Sequence, residues 1–388
     1  MSVLVHFDKL PFWRGVQDEY RYQSRRSFSL KVESGLIQQG SPNAVQIEAI
    51  KGYSEPEYTF ITQPPGHSEW ANSRGDAHIE FIKKTFGSVK GRSVLEIGGA
   101  NLYIARKLSS EFGVSDCTVI DPAIRETPVK GSNIRVIRDY FKDTTSINDC
   151  DLVISLNCLE HVPHPLMFLL GIHRVLAAKR GKAVLVFPDI EKQFRRGDLN
   201  ALLHEHLSYF TEESIRQLFA KTGFKILEHK SEEDAFSYYL QAEPSPRSSQ
   251  VSDDSWQEQF LKEADKAFKQ SLRHAEESVK NLLSLDLKVA FHGATNGLNN
   301  FLALAGLEKE KNILIFDGDK SKAGKFLPSC AQAIGHTSDE NYAKVDRLFV
   351  SAMTFYEPIR RYAIGRGVAA NQVWPLFSAQ KELNAART

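Results

Sequence analysis

The feature that most restricts the fold of this chain is a series of short apolar runs alternating with helical stretches. The runs SVLEIGG, CTVIDP, IRVIRD, DLVISLN and KAVLVFP follow one another between residues 93 and 188. Strands that are apolar along their whole length are typical of parallel sheets covered by helices on both faces. The sequence therefore predicts an α/β domain built on a mainly parallel sheet.

A second series of the same kind lies near the C-terminus, with the runs KVAFHGATNG, NILIFDGD, DRLFVSA and QVWPLF. Between the two series lie a segment rich in Pro, Ser and Asp, which we interpret as a linker, and a charged segment predicted to be one long helix. We expect two Rossmann-like α/β domains and a small N-terminal cap. The predicted divisions are a cap or lid over 1–75, a first α/β domain over 76–245, and the linker helix with the second α/β domain over 246–388.

Composition excludes some classes of partner. The 49 Lys and Arg residues balance the 48 Asp and Glu residues, so we expect neither nucleic acid nor a membrane surface as a partner. The four cysteines are scattered without a CxxC pair, which favours free thiols over a disulfide framework or a zinc site. The N-terminus does not resemble a signal peptide, and no apolar run is long enough to span a membrane. We therefore expect a cytoplasmic protein, and the sequence does not indicate its oligomeric state.

The stretch VLEIGGANLYIARKL carries the main cofactor signal. Gly98 and Gly99 follow a strand, and a helix is predicted to begin near Leu102. Such a turn lets a ligand approach the backbone and the helix N-terminus. The later glycines of a dinucleotide-binding GxGxxG loop are missing, and Glu96 precedes the turn. This pattern is the one found in S-adenosylmethionine sites.

The following strand ends add further candidates. Asp121 is placed to accept hydrogen bonds from the ribose hydroxyls of the cofactor, and Asp139 and Tyr140 are placed to hold its adenine. Residues 157–161 follow the next strand and lie at the edge of the sheet where ligands bind. The alternative is a plain Rossmann-like domain with acidic residues at strand ends by chance, which four consecutive strand ends disfavour. The predicted cofactor-binding residues are Glu96, Gly98, Gly99, Asn101, Asp121, Asp139, Tyr140, Asn157 and His161.

Three motifs give the chain a family resemblance. They are LNCLEHVPHP, HEHLSYFTEESIRQLFAKTGF and the C-terminal stretch from KVAFHGATNG to KSKAGKFLP. With them the chain resembles the class I S-adenosylmethionine-dependent methyltransferases, and more narrowly the C-methyltransferases that act on nucleotide-linked keto-deoxysugars. The resemblance covers roughly residues 58 to 376. Two features depart from it: the N-terminal block lacks the cysteines of the usual zinc-binding module, and Leu203 stands where a tyrosine is common.

The resemblance implies a reaction in which a base removes the proton beside the sugar ketone and the enolate carbon is methylated in line. It implies His206 as that base, because an imidazole has a pKa near neutrality. Glu205 would support His206, and His204 would contact the enolate oxygen or the sugar. The implied substrate-binding residues are Tyr58, Tyr209, His292, Thr295 and Asn296. For the last three, ordinary turn chemistry is an equally weighted alternative.

Other interpretations of His204-Glu205-His206 stay open. The histidines could line the loop before a helix that Thr211 caps, or they could bind a metal together with His161 or His164. We rank catalysis first, the structural role second and the metal third, so no metal is expected. Alternative functions are O- or N-methylation of a sugar or another small polar metabolite, and a non-catalytic protein that keeps the S-adenosylmethionine fold.

Overall fold

A computed structural model describes residues 3–13, 15–20, 25–40, 69–99, 101–231, 237–248 and 254–377. The chain forms two compact units. The seven-stranded unit contains Val32–Asp189 and Glu205–Asp254, and the five-stranded unit contains Met1–Lys31, Ile190–His204 and Ser255–Thr388. Each unit is therefore built from segments that are not contiguous in sequence.

The strands are numbered in chain order: β1 Val5–Pro11, β2 Arg25–Glu33, β3 Leu36–Gln39, β4 Ser93–Ile97, β5 Asp116–Ile120, β6 Ile134–Ile137, β7 Leu152–Leu156, β8 Lys182–Pro188, β9 Ser208–Tyr209, β10 Phe224–Ser231, β11 Ser237–Pro244, β12 Val289–His292, β13 Ile313–Asp317, β14 Ile334–His336, β15 Arg347–Val350 and β16 Val373–Pro375. The α-helices are α1 Glu69–Phe86, α2 Tyr103–Phe112, α3 Pro165–Ala177, α4 Glu191–Arg196, α5 Glu212–Thr222, α6 Ser255–Ser284, α7 Asn296–Ala305 and α8 Tyr356–Gly365.

The main sheet of the seven-stranded unit has the order β10-β11-β8-β7-β4-β5-β6. Strands β4 to β8 pair in parallel, and β11 is antiparallel to both β8 and β10. The strand order reverses between β4 and β7, which start at Ser93 and Leu152. In open α/β sheets, ligands bind beyond the carboxyl ends of the strands at such a reversal.

Helices cover both faces of this sheet because its strands present apolar side chains in both directions. Along β4, Leu95 and Ile97 belong to the core under α3 and α5, whereas Val94 belongs to the core under α1 and α2. Alternate residues of a strand point to opposite faces, so an all-apolar strand needs a helix layer on each side. The prediction of a buried parallel sheet is confirmed.

The main sheet of the five-stranded unit is parallel throughout, with the order β14-β13-β12-β15-β16. Helix α6 is 30 residues long and buries a stripe that includes Phe260 and Phe268, as the long charged segment predicted. Strands β1 and β2 pair in antiparallel fashion, from Val5 opposite Leu30 to Pro11 opposite Arg25. The predicted fold class, with two Rossmann-like domains, is confirmed, while the boundaries at residues 75 and 245 stay predictions.

Two smaller features complete the fold. In the seven-stranded unit, β3 pairs with β9, so that Ile37 lies opposite Tyr209 and Gln38 opposite Ser208. This pairing anchors the segment that follows Glu205-His206. Within the described part of the chain, no helix is both long enough and apolar enough to cross a membrane.

Candidate functional site

A cavity of about 490 Å³ opens at the carboxyl ends of β4, β5, β6 and β7 in the seven-stranded unit. Its volume is in the range of sites for small molecules and cofactors. The wall includes six residues that the sequence singled out: Gly98, Asp121, Asp139, Tyr140, His161 and Glu205. The structure therefore brings together the ends of four strands, as the sequence-based argument expected of a ligand site.

The turn after β4 requires glycine at two positions for different reasons. Gly98 has a φ of +83°, a left-handed conformation that glycine adopts without steric cost. A Cβ on Gly99 would lie 2.3 Å from Cγ1 of Val119 on β5. Gly98 lines the cavity, whereas Gly99 allows the turn to pack against the sheet. Helix α2 follows with Leu102 as its N-cap residue.

Glu96 lies just before this turn and does not line the cavity. It is almost fully buried, and its Oε2 atom has no hydrogen-bond partner among the described residues. Burial raises the pKa of Glu96 to about 8, the nearby charge of Asp121 adds to the rise, and a hydrogen bond from the backbone of Ala105 opposes it. An unpartnered buried carboxyl oxygen costs free energy unless a donor reaches it, so this group is suited to accept a hydrogen bond from a ligand.

The acidic residues after β5 and β6 differ in their environment. Asp121 is buried, and its Oδ1 atom accepts a hydrogen bond of 2.6 Å from the backbone N–H of Ala123. Asp139 is exposed and accepts from the N–H of Tyr140 at 2.7 Å. Burial raises the pKa of the Tyr140 hydroxyl, and the charges of Asp121 and Asp139 raise it further. All three residues line one wall of the cavity.

The two predicted asparagines lie outside the cavity wall. Asn101 accepts a hydrogen bond of 3.3 Å from the N–H of Tyr103 and so supports the start of α2. Asn157 is exposed and has a φ of +50°, a conformation that asparagine tolerates better than most residues. Asn101 thus supports the turn after β4, Asn157 occupies a left-handed position after β7, and their contacts with the cofactor stay predictions.

A cluster of ionisable side chains lies where the segment after β7 meets the segment before β9. Ligand atoms of Glu160, His161 and His206 all lie within 4.8 Å of one another. The rings of His161 and His206 are in edge-to-face contact, 5.0 Å between centroids. Nδ1 of His161 is 3.0 Å from the carbonyl oxygen of Glu205. Because a carbonyl oxygen only accepts, Nδ1 carries the proton and Nε2 of the neutral ring is an acceptor.

Backbone hydrogen bonds hold this cluster in place. The N–H of Leu207 donates to the carbonyl of Glu160 at 2.8 Å, and the side-chain amide of Gln39 on β3 donates to the carbonyl of His206 at 2.6 Å. The N–H of Gln39 donates to the carbonyl of Leu207 at 3.1 Å. The position of His206 is thus determined by β3 and by the segment after β7, which are far apart in sequence.

Burial sets the protonation of the cluster. It lowers the pKa of His161 to about 4, against the opposing hydrogen bond to Glu205. It also lowers the pKa of His206 well below its ordinary value, and the neighbouring His161 lowers it further. Burial raises the pKa of Glu160 to about 8, a hydrogen bond from its own backbone opposes the rise, and the charge of Glu205 adds to it. Both imidazoles are therefore neutral near pH 7 and able to accept a proton.

The third residue of the predicted trio has different surroundings. His204 belongs to the five-stranded unit, whereas Glu205 and His206 belong to the seven-stranded unit. Its ring packs at 5.5 Å from the rings of both Phe12 and Phe28. Burial lowers the pKa of His204 to about 4, and the charge of Arg26 lowers it further, against a hydrogen bond to the Arg26 backbone. His204 thus packs within the five-stranded unit and is not one of the three residues of the cluster.

Of the two tyrosines predicted to bind substrate, one lies in the described part of the chain. Tyr209 on β9 is buried, and its ring lies 5.9 Å from that of His206. Tyr58 lies outside the described residues. The proposed hydroxyl contacts of both stay predictions.

In the five-stranded unit, the predicted substrate residues make internal contacts. The Nδ1 atom of His292 is 2.7 Å from the hydroxyl of Tyr342. Thr295 caps α7 by accepting from the N–H of Leu298 at 3.2 Å. Asn296 donates to the carbonyl of Leu202 at 2.9 Å. Thr295 thus acts as a helix cap, whereas His292 and Asn296 bond to residues far away in sequence, and the substrate contacts of all three stay predictions.

Two residues that the sequence analysis did not single out are prominent in the structure. Glu160 completes the cluster with His161 and His206. Asn200 accepts a hydrogen bond of 2.8 Å from the N–H of Gly297 at the start of α7. A carboxylate beside a histidine in an otherwise apolar stretch is a weak signal for the first, and no local pattern indicates the second because its partner is 97 positions away.

Comparison with known proteins finds similarity to methyltransferases. A family model described as a methyltransferase domain matches residues 70–229. The C-methyltransferase NovU of Streptomyces niveus is 24% identical over 318 residues, which cover 74% of each chain. The match to this relative is thus longer than the match to the family model.

Two solved structures also align with parts of the chain. Magnesium protoporphyrin IX methyltransferase (ChlM) from Synechocystis PCC 6803 with bound S-adenosylhomocysteine aligns with a TM-score of 0.39 and 14% identity. It covers 52% of this chain and 100% of its own. The PH0226 protein from Pyrococcus horikoshii OT3 aligns with a TM-score of 0.37 and 17% identity, over 46% of this chain and 92% of its own.

Residues 70–229 match a methyltransferase domain, and the chain is an S-adenosylmethionine-dependent methyltransferase. The site fits that cofactor in two respects. The unpartnered oxygen of Glu96 lies beside the glycine turn, and the buried carboxylate of Asp121 lines a cavity of suitable volume. S-adenosylmethionine, when bound, supplies an electrophilic methyl group attached to its sulfonium sulfur.

Proposed function

We propose that this S-adenosylmethionine-dependent methyltransferase methylates a carbon atom of a nucleotide-linked keto-deoxysugar, with His206 as the base that forms the enolate. The observation that carries the proposal is a neutral imidazole held beside the cofactor cavity. His206 contacts His161, and both His161 and Glu205 line that cavity. A small-molecule acceptor is what a methyltransferase with such a site requires.

Carbon methylation needs a base that is free of its proton when the ketone binds. Removal of the proton beside the ketone forms the enolate and leaves the proton on the imidazole. Burial lowers the pKa of His206, which leaves the imidazole without its proton at neutral pH but also weakens it as a base, so the imidazolium that forms needs a negative charge nearby. Glu205 lies in the wall of the same cavity, where its carboxylate would stabilise the imidazolium that forms.

Most of the proposed cofactor residues line the same cavity. Asp121 would accept hydrogen bonds from the ribose hydroxyls, and Asp139 with Tyr140 would contact the adenine. Gly98 would let the ligand approach the backbone of the turn, and Glu96 would accept a hydrogen bond through Oε2. A fixed arrangement of two ligands in one cavity would contribute much of the rate through positioning.

The similarity to a protein named C-methyltransferase NovU supports carbon as the methylated atom. The nucleotide-linked sugar rests on the motif HEHLSYF and on the two-domain resemblance. Methylation of oxygen or nitrogen on a sugar or another small polar metabolite is the alternative. It requires no enolate, so the two proposals differ in a measurable way.

The test is solvent deuterium incorporation into a panel of nucleotide-linked keto sugars in the presence of S-adenosylhomocysteine and EDTA. The wild-type protein is expected to exchange one carbon-bound proton of the correct sugar. His206→Asn keeps a side chain that forms hydrogen bonds but removes the base, and we expect it to lower the exchange rate by at least about a hundredfold. Glu213→Gln on the exposed side of α5 serves as the matched control.

The outcomes separate the two functions. Exchange by the wild type that is lost in His206→Asn supports enolate formation and its base together. Unchanged exchange in His206→Asn contradicts His206 as the base. Tight binding of S-adenosylhomocysteine without exchange into any keto sugar of the panel contradicts carbon methylation and favours oxygen or nitrogen as the acceptor atom.

A further inference from the structure

The cluster of Glu160, His161 and His206 has the composition of a metal site. Its three ligand atoms, one carboxylate oxygen and two imidazole nitrogens, lie within 4.8 Å of one another. Nε2 of His161 is 3.8 Å from Oε1 of Glu160. These separations are close enough for small side-chain rotations to place all three atoms around one ion.

A second observation indicates that the cluster is incomplete without a ligand. Glu160 is 2% exposed, and its Oε2 atom has no hydrogen-bond partner among the described residues. No Lys or Arg side chain in the described residues forms an ion pair with Glu160. Such a buried carboxyl group becomes a stable carboxylate only beside a cation or a metal ion, because the desolvation of its charge is otherwise uncompensated.

The histidines are also prepared for coordination. The rings of His161 and His206 are in edge-to-face contact, 5.0 Å between centroids. Nδ1–H of His161 donates to the carbonyl of Glu205. This hydrogen bond leaves Nε2 as the ligand atom and fixes the ring, which is the usual outer contact of a metal-bound histidine.

We propose that Glu160, His161 and His206 form a site for a zinc-type divalent cation next to the cofactor cavity. Two imidazoles and one carboxylate suit Zn²⁺ and neighbouring first-row ions, which prefer nitrogen and oxygen ligands in this combination. Ca²⁺ and Mg²⁺ are disfavoured because they prefer all-oxygen sites. Three protein ligands leave a fourth position open.

The site has a consequence for catalysis that rests on the proposed function. His206 has to use the lone pair of one nitrogen to take the substrate proton. When the cation occupies that lone pair, His206 no longer acts as the base. The bound cation is therefore an inhibitor of enolate formation, and its removal by a chelator restores the reaction.

Co²⁺ binding tests the site directly, because a Co²⁺ ion with few ligands absorbs visible light. The full-length protein is treated with EDTA, dialysed and titrated with Co²⁺, and Zn²⁺ is then added as a competitor. We expect one Co²⁺ per chain with a visible band that Zn²⁺ abolishes. Glu160→Gln and His206→Asn should each weaken Co²⁺ binding by at least about tenfold, since changes outside the ligand shell alone cost that much.

The control is His164→Ala. His164 is exposed in the cavity wall but lies outside the cluster, so its removal should leave Co²⁺ affinity unchanged. Circular dichroism and thermal melting identify any variant that fails to fold. Because two different ligands are replaced separately, a folding failure in one variant still leaves the other to decide.

Two results overturn the proposal: no Co²⁺ band in the wild type, or equal Co²⁺ affinity in the wild type and in a folded Glu160 or His206 variant. The exchange assay, run in EDTA, distinguishes this failure from failure of the proposed function. Deuterium exchange without metal binding supports the proposed function and contradicts the metal site. Metal binding without deuterium exchange supports the metal site and contradicts the proposed function.

Discussion

At the scale of single residues, the two adjacent glycines in the turn after β4 are required for two different structural reasons. Gly98 is needed for its left-handed backbone, and Gly99 for the close approach of Val119. Only the first residue lines the cavity. A glycine pair at a cofactor turn therefore serves both ligand access and packing.

We expect Gly99→Ala to destabilise the protein by about 1–3 kcal/mol, because the added methyl overlaps a buried side chain on the neighbouring strand. The measurement is the free energy of unfolding from urea titration, followed by circular dichroism. Gly318→Ala is the matched control, since a Cβ at Gly318 meets no atom within 4 Å. Equal stability of the two variants would contradict the packing argument.

At the scale of elements, helix α5 begins where the segment carrying His206 ends. Thr211 accepts a hydrogen bond of 3.1 Å from the N–H of Ser214, and Ser214 Oγ accepts one of 2.9 Å from the N–H of Thr211. This reciprocal capping box confirms Thr211 as the N-cap that the sequence predicted. Glu212 and Glu213 in the first turn add a favourable interaction with the helix dipole.

Thr211→Val keeps the size of the side chain but removes the capping hydroxyl. We expect a loss of about 1–2 kcal/mol in the free energy of unfolding, because a buried N–H is left without its acceptor. Ser110→Ala, which removes an exposed hydroxyl from α2, should change stability by less than about 0.5 kcal/mol. Urea titration of the three proteins decides the matter, and a Thr211→Val variant as stable as the wild type would refute the role of the cap.

At the scale of the whole molecule, the five-stranded unit is assembled from distant segments. The side chain of Asn200 accepts from the N–H of Gly297 at 2.8 Å and donates to the carbonyl of Ser351 at 2.8 Å. A Cβ on Gly297 would lie 2.5 Å from Asn200. The start of α7, where the family resemblance implied substrate contacts by Thr295 and Asn296, thus contacts the chain's own asparagine.

Asn200→Ala should lower the free energy of unfolding by about 2 kcal/mol, because it removes the acceptor from one backbone donor and the donor from one carbonyl. Asn341→Ala is the matched control, since Asn341 bonds only to nearby Asp339 at an exposed turn. Thermal and urea unfolding of both variants provide the measurement. If the two variants lose the same stability, the long-range contact of Asn200 is not a significant part of the unit's stability.

Much of the fold could be predicted because its signals are local. Strands β4 to β8 and β12 to β16 begin and end close to the apolar runs, except β14, whose three residues are too few to show a pattern. Strands β10 and β11 were not predicted from sequence. Their pairing with β8 depends on an antiparallel return that only tertiary contacts decide.

The sequence by itself determined the two α/β domains, the glycine turn, the acidic strand ends and the helix cap at Thr211. Each depends on residues within one strand–turn–helix segment, where local sterics and hydrogen bonding act. Tertiary structure alone decided that His204 packs between Phe12 and Phe28 while His206 joins Glu160 and His161. Adjacent residues can belong to different units, and residues 46 positions apart can share one cluster, because burial and backbone pairing act through space.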